Sequence, residues 1–307
     1  MGWRLRASAL LLCLGACSED NATPDATVRD TGGDTPGAPD ANHGDAPGPF
    51  GRPYQLRVPD DHDPRRPSPL VVLLHGYSVS GALQDLYFGL GRLASGRGFL
   101  LALPDGTPDS ARRLHWNAAP TCCNPIAGEP DDVAYLTAVM DDVARRYAVD
   151  PRRVFLVGHS NGAFMALQLA CERSARIAAV VSLAGAAWAE PGWCAPSAPV
   201  AVLQVHGDAD TTIPYMGGER LGLRYLGAEE TVARWARYNG CGSLEDTGQR
   251  LDLDLSLPGA ETRVGRHGGC GRGAAELWTI AGGVHLPALA PTWAETIYQW
   301  LQVHPRN

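Results

Sequence analysis

One serine in this chain stands on a turn between a buried strand and a helix. The apolar run Val154-Phe155-Leu156-Val157 leads directly into Gly158-His159-Ser160-Asn161-Gly162, and residues 163–170 then have helical character. The two glycines indicate a turn so sharp that a Cβ at either position would collide with the strand or the helix. Because such a turn exposes the serine hydroxyl, Ser160 is a candidate nucleophile. The alternative is an ordinary tight turn.

Residues 1–16 are typical of an export signal. Arg4 and Arg6 precede a short apolar stretch, residues 9–14, which is too short to cross a bilayer as a helix. The segment ends in Leu14-Gly15-Ala16-Cys17, which is similar to a bacterial lipobox. This resemblance implies a lipoprotein signal peptide that is cut before Cys17, with lipid attached to Cys17. The alternative is an ordinary secretory signal.

Residues 17–48 are rich in Asp, Thr, Pro, Gly and Ala, and Arg29 is their only fixed positive charge. Such a stretch has too little apolar surface to offset the entropy cost of ordering it, so we expect a disordered acidic tether. The tether carries most of the net charge of −7, and the rest of the chain shows no basic face for nucleic acid. Residues 49–307 have the length of one α/β domain.

The remaining sequence alternates apolar runs with amphipathic segments. This alternation predicts a mostly parallel central sheet with helices on both faces, and functional residues at the carboxyl ends of the strands. The predicted strands are 54–58, 69–74, 99–103, 153–157, 177–183, 199–205, 251–257 and 276–280, and the predicted helices are 131–147, 163–170, 229–238 and 292–303.

Six cysteines follow the lipobox, and an even number in an exported domain favours disulfides. We favour Cys241–Cys270, because the two flank one stretch of predicted β-structure, and then Cys171–Cys194. The adjacent Cys122 and Cys123 either bridge each other or pair elsewhere. Zinc binding is the competing interpretation, but the chain has no C-x-x-C motif, so no metal is expected.

A serine on such a turn is the nucleophile elbow of α/β-hydrolases, in which an acid and then a histidine follow along the chain. Both appear in order, each after a predicted strand. His285 follows Gly282-Gly283-Val284 and is the candidate base, a solvated loop histidine being the alternative. Asp208 and Asp210 compete as the acid, and we expect the other to cap the following turn. His206 lies too early in the chain to be the base and is expected to pack the loop.

A tetrahedral intermediate needs two hydrogen-bond donors for its oxyanion. The backbone N–H of Asn161 is one, because it follows the nucleophile at the positive end of a helix. The other is expected from the loop His75-Gly76-Tyr77-Ser78, where we favour the backbone N–H of Tyr77, with Ser78 as the alternative. The side chain of Tyr77 either lines the acyl pocket or only packs.

Several motifs along residues 52–303 together resemble a known family, the secreted esterases grouped as polyhydroxybutyrate depolymerases, feruloyl esterases and LpqC-like lipoproteins. The resemblance implies that Asp210 is the triad acid, and that Asp131 and Asp132 cap a helix. The motifs are Leu74-His75-Gly76-Tyr77, Asp131-Asp132-Val133-Ala134-Tyr135, Asp150-Pro151-Arg152-Arg153-Val154-Phe155, Gly158-His159-Ser160-Asn161-Gly162-Ala163, His206-Gly207-x-x-Asp210 and Gly282-Gly283-Val284-His285.

The chain departs from the family pattern in two places. Leu286-Pro287 follows His285 where the family often has a tryptophan, which removes an aromatic wall for a feruloyl or polymer substrate. The loop from Trp116-Asn117 to Cys122-Cys123 is also particular to this chain, and we expect it at the rim of the site.

The sequence thus predicts an extracytoplasmic serine esterase with an acyl-enzyme on Ser160 and the triad Ser160, Asp210 and His285. Feruloyl or acetyl esters of polysaccharides and a hydroxyalkanoate polyester are the expected substrates, and no cofactor is implied. The lipid on Cys17 would attach the protein to a bacterial membrane, at the outer membrane or cell surface. The alternatives are a serine peptidase of the same fold and a non-catalytic surface-binding lipoprotein.

Overall fold

The computed structural model describes residues 43–46, 48–120, 122, 130–190, 192–220 and 222–306. The predicted signal peptide, Cys17 and the tether as far as residue 42 lie outside these ranges. Within the ranges, no helix has both the length and the apolar character needed to cross a membrane.

A ten-stranded sheet forms the centre of the fold, in the order β1-β2-β4-β3-β7-β8-β9-β14-β13-β12. The strands from β4 to β14 in this order pair in parallel, and the strands at both ends pair antiparallel. Two separate hairpins, β5–β6 and β10–β11, complete the β-structure of the described residues. The strands are β1 (His43–Ala46), β2 (Tyr54–Arg57), β3 (Ser68–Leu74), β4 (Leu100–Pro104), β5 (Thr107–Pro108), β6 (Leu114–His115), β7 (Val149–His159), β8 (Ala179–Leu183), β9 (Ala201–Gly207), β10 (Gly217–Arg220), β11 (Leu223–Leu226), β12 (Leu244–Leu251), β13 (Thr262–His267) and β14 (Ala275–Ile280).

Helices cover both faces of the sheet, as the sequence predicts. Alternate residues of β3 show this directly. Leu70, Val72 and Leu74 belong to one apolar cluster with residues of α3 and α4, whereas Val71 and Leu73 belong to another with residues of α2 and α6. The helices are α1 (Gly81–Phe88), α2 (Leu90–Arg97), α3 (Asp132–Arg146), α4 (Asn161–Glu172), α5 (Ala228–Tyr238) and α6 (Trp293–Gln302).

The predicted strand at 251–257 is wrong. β12 ends at Leu251 and β13 begins at Thr262, so the segment is the loop between them. Its alternating leucines suggest a strand, but Leu253 packs into a core cluster beneath the loop, and Asp254 pairs as a single bridge with Leu289. The true strand β12 is polar and exposed, and therefore lacks the apolar periodicity that predicts a strand.

The predicted tether is also wrong over its last residues. His43–Ala46 forms β1, which pairs antiparallel with β2 at the end of the sheet. Backbone hydrogen bonds make this edge strand, and the polar sequence gives no sign of them. The sequence prediction also missed α1 and α2, two short helices separated by Gly89, whose φ of 77° is easy only for glycine.

The part of the chain that the structure describes contains two disulfides, and both are among the predicted pairs. Cys241–Cys270 links the two ends of the segment that contains the β12–β13 hairpin, and Cys171–Cys194 links the end of α4 to the loop after β8. Cys122 is buried, and its Sγ accepts a hydrogen bond from Asn161 Nδ2 at 3.5 Å. Cys123 lies outside the described residues.

Candidate active site

Ser160 occupies a strained turn at the carboxyl end of β7. Its φ and ψ are 52° and −122°, in a region that residues with a side chain rarely adopt, and α4 begins at the next residue. A Cβ on Gly158 would lie 2.3 Å from the carbonyl oxygen of Gly162, and a Cβ on Gly162 would lie 2.2 Å from that of Leu74. The two glycines therefore permit the turn, as the sequence predicts.

The structure brings Ser160, His285 and Asp210 into one line of hydrogen bonds. The Oγ–H of Ser160 donates to His285 Nε2 over 2.9 Å, and His285 Nδ1–H donates to Asp210 Oδ2 over 2.8 Å. The side chain of His285 is 15% exposed, whereas that of Asp210 is fully buried. The imidazole is therefore the partly exposed member of the line, between the largely buried Ser160 and a carboxylate shielded from water.

The surroundings of Asp210 keep its carboxylate ionised. Burial alone would raise the pKa of Asp210, but hydrogen bonds from His206, His285 and the Ile213 N–H outweigh it and hold the pKa well below its usual range. The Oδ1 atom accepts the backbone N–H groups of Thr212 and Ile213 at 2.8 and 2.9 Å. An ionised carboxylate at this position fixes the proton of His285 on Nδ1 and leaves Nε2 free to accept one.

The two other candidates near Asp210 have supporting positions. Asp208 does not cap the following turn, because Asp210 itself accepts those N–H groups. Instead, Asp208 Oδ1 accepts the N–H of Gly282 at 2.6 Å, which ties the acid loop to the histidine loop. His206 lies in β9 and not in the loop itself, but its Nε2–H donates to the carbonyl of Ile213 in the loop at 2.8 Å, so it packs against the loop as predicted.

Both predicted oxyanion donors lie on segments next to Ser160. Asn161 is the first residue of α4, so its N–H belongs to the first turn, where no intrahelical acceptor exists. Tyr77 lies in the loop after β3, with its hydroxyl donating to Asp109 Oδ2 at 2.5 Å. The Ser78 N–H donates to the carbonyl of Leu114, so Ser78 is not the second donor.

Three contacts that the sequence did not predict hold the backbone of the histidine loop. His159 Nε2–H donates to the carbonyl of His285 at 3.1 Å, and the Tyr87 hydroxyl donates to the carbonyl of Pro287 at 2.7 Å. Buried Asp254 accepts the N–H of Ala288 at 3.0 Å. The partners come from three distant parts of the chain, and no local pattern in the sequence reveals them.

Asp131 and Asp132 have different roles, although the family resemblance treats both as helix caps. Asp131 accepts the N–H of Ala134 at 2.8 Å and caps α3. Asp132 is buried, where it binds Arg52 and accepts the N–H of Asn117, each at 2.7 Å. Trp116, expected at the rim of the site, is instead fully buried. Within the described ranges, no group of three or more His, Cys, Asp or Glu side chains is arranged to hold a metal ion.

Sequence comparisons link the chain to esterases. The model of a family described as Phospholipase/Carboxylesterase matches residues 132–232. Feruloyl esterase D of Neurospora crassa is 27% identical over 248 residues, which make up 77% of this chain and 74% of that protein. Feruloyl esterase C of Emericella nidulans is 33% identical over 182 residues, or 57% of this chain. The chain spans only 61% of the length of that relative.

Solved structures share the fold at low sequence identity. The acetyl xylan esterase from Aspergillus awamori aligns with a TM-score of 0.57 over 84% of this chain and 96% of that one, at 15% identity. A thermostable esterase gives the same TM-score over 86% of this chain and 63% of that one, at 18% identity. Together with the strand order, these matches establish the α/β-hydrolase fold.

Proposed function

We propose that this chain, an α/β-hydrolase related to esterases, is a serine esterase that hydrolyses carboxylic esters through an acyl-enzyme on Ser160. The observation that carries the proposal is the unbroken line of contacts from the Ser160 hydroxyl through His285 to buried Asp210. The relatives named above support the esterase proposal, because they are named as feruloyl esterases. None of those names is polyhydroxybutyrate depolymerase, so that part of the resemblance stays a prediction.

The contacts give each residue a step in ester hydrolysis. His285 Nε2 takes the proton of Ser160 as the Oγ attacks the ester carbonyl, and ionised Asp210 stabilises the resulting imidazolium. The backbone N–H groups of Asn161 and Tyr77 stabilise the oxyanion. His285 then returns the proton to the leaving alcohol. A water molecule, deprotonated by His285, finally attacks the acyl-enzyme. As the acid is released, His285 returns that proton to the departing Ser160 Oγ and the free enzyme is restored.

We take feruloyl esters of polysaccharides as the leading substrate class, because feruloyl esterases are among the relatives of this chain. Acetylated polysaccharides and hydroxyalkanoate polyesters are the two other candidates. A hydrolysis panel of methyl ferulate, acetylated xylan and hydroxybutyrate oligomers separates the three. The fastest turnover should fall on methyl ferulate, and turnover of the oligomers alone would overturn this choice.

We further propose that the protein works outside the cytoplasm, attached to a membrane by a lipid on Cys17. The two disulfides support an oxidising compartment. In a bacterial host, globomycin, which blocks lipoprotein signal peptidase, should leave the precursor uncut. Normal processing in its presence would contradict the lipid anchor.

The direct test of the activity is the change Ser160→Ala. Removing the Oγ should lower kcat for p-nitrophenyl acetate by about 10⁴- to 10⁶-fold, because the acyl-enzyme can no longer form. Ser182→Ala is the matched control, since Ser182 is a buried serine in β8 outside the line of contacts. It should keep kcat within about twofold of wild type. Turnover retained by Ser160→Ala would refute the proposal.

A further inference from the structure

The segment Leu114–Trp116 contacts both parts of the chain that supply the proposed oxyanion donors. We propose that Trp116 is a positioning residue, which holds the backbone N–H groups of Tyr77 and Asn161 in the relative placement that a tetrahedral oxyanion requires. The inference rests on the proposed esterase function. It adds to that function a side chain that acts through the oxyanion hole without touching the substrate.

Two hydrogen bonds bracket Tyr77. The indole Nε1–H of Trp116 donates to the carbonyl of His75 at 3.0 Å. The N–H of Ser78 donates to the carbonyl of Leu114 at 2.9 Å. Because Tyr77 lies between these two anchored residues, its backbone has little freedom to rotate away from the site.

The side chain of Asn161 binds the backbone of Trp116 twice. The Trp116 N–H donates to Asn161 Oδ1 at 2.7 Å, and Asn161 Nδ2 donates to the Trp116 carbonyl at 2.9 Å. A pair of bonds fixes the angle between two groups as well as their distance. Trp116 is therefore bonded to the first residue of α4 and to the loop after β3 at the same time.

The surroundings of Trp116 make it a rigid spacer. Its side chain is fully buried, and its ring packs against that of His75 with the centroids 4.9 Å apart. The next residue, Asn117, donates its N–H to Asp132 Oδ2 at 2.7 Å, and Asp132 is itself bound by Arg52. A side chain enclosed in this way keeps one orientation, which it passes on to the residues bonded to it.

The oxyanion hole depends on donors that are in place before the charge develops. Trp116→Phe keeps an aromatic ring but removes the indole N–H, so the carbonyl of His75 loses its donor and the loop can shift. We expect kcat for p-nitrophenyl acetate to fall about 10-fold, as is typical when one such bond is lost, with KM within about twofold of wild type.

An aryl trifluoromethyl ketone provides a readout that a general loss of packing would not change. The ketone forms a hemiketal with the serine, and the negative oxygen of this hemiketal occupies the oxyanion hole. The Ki of the ketone should therefore rise in Trp116→Phe by the same factor by which kcat falls. The pH profile of kcat/KM should keep its midpoint, because the change touches neither His285 nor Asp210.

Trp235→Phe is the matched control. Trp235 is equally buried, and its indole N–H has no hydrogen-bond partner among the described residues. It should leave kcat and the ketone Ki within about twofold of wild type. Where Trp116→Phe does not fold, Asn161→Ala takes its place, since it keeps the backbone N–H but removes both bonds to Trp116.

Values of kcat and Ki in Trp116→Phe that match those of Trp235→Phe would overturn the positioning role while the esterase function stands. An increase in KM with kcat unchanged would overturn it as well. If the wild-type protein hydrolyses no ester, the proposed function itself fails, and the positioning role fails with it.

Discussion

At the scale of single residues, His159 is a buried histidine that takes no proton in the proposed reaction. Burial, followed by the neighbouring His285, lowers its pKa from 6.5 to about 4. The side chain is therefore neutral at neutral pH. Its bond to the carbonyl of His285 assigns the proton to Nε2, because only a protonated nitrogen can donate to a carbonyl.

This lowered pKa makes folding stability depend on pH. An unfolded chain binds a proton at this histidine below pH 6.5, whereas the folded protein resists protonation until the pH nears 4. The free energy of unfolding therefore decreases as the pH falls from 6.5 to about 4. A shift of this size corresponds to about 3 kcal/mol in the free energy of unfolding.

His159→Gln tests the link between this histidine and acid stability. Glutamine does not titrate, and its amide can still donate to the carbonyl of His285. Urea unfolding at a series of pH values should show that the variant loses about 3 kcal/mol less stability than wild type between pH 7 and pH 4. Parallel stability curves for the two proteins would contradict a neutral, buried His159.

At the scale of strands and helices, prediction from the sequence succeeded where burial leaves a local pattern. β3, β4, β8 and β9 are buried along their whole length, and each appears in the sequence as a mostly apolar run. β14 is equally buried but includes Glu276 and Thr279. The edge strand β12 is exposed and polar, so no such run marks it. The 251–257 error arose because a loop that covers the core also alternates apolar and polar residues.

The same distinction applies to the site. Ser160, Asp210 and His285 could be proposed from the sequence, because each lies in a short motif just after a predicted strand. The role of Trp116 could not be predicted, because its bonds reach 45 residues along the chain to Asn161 and 41 residues to His75. Contacts of that kind are set by the packing of loops against one another, which a single sequence does not record.

At the scale of the whole molecule, the parallel order of the sheet accounts for the meeting of the three side chains. Ser160 follows β7, Asp210 follows β9 and His285 follows β14, and these strands lie within four neighbouring positions of the sheet. Because parallel strands present their carboxyl ends at one edge, the three loops that carry these side chains meet at that edge. The polar contacts among these loops then hold the line of hydrogen bonds in place.

The most direct test of this account is covalent labelling by a fluorophosphonate probe, which reacts with a serine activated by a neighbouring histidine. Intact mass and peptide mapping should find one probe per folded wild-type chain, on the peptide that contains Ser160, and none on Ser160→Ala. A folded wild-type protein that takes up no probe, or a Ser160→Ala variant that is labelled as well as wild type, would contradict the assignment of Ser160 as the nucleophile.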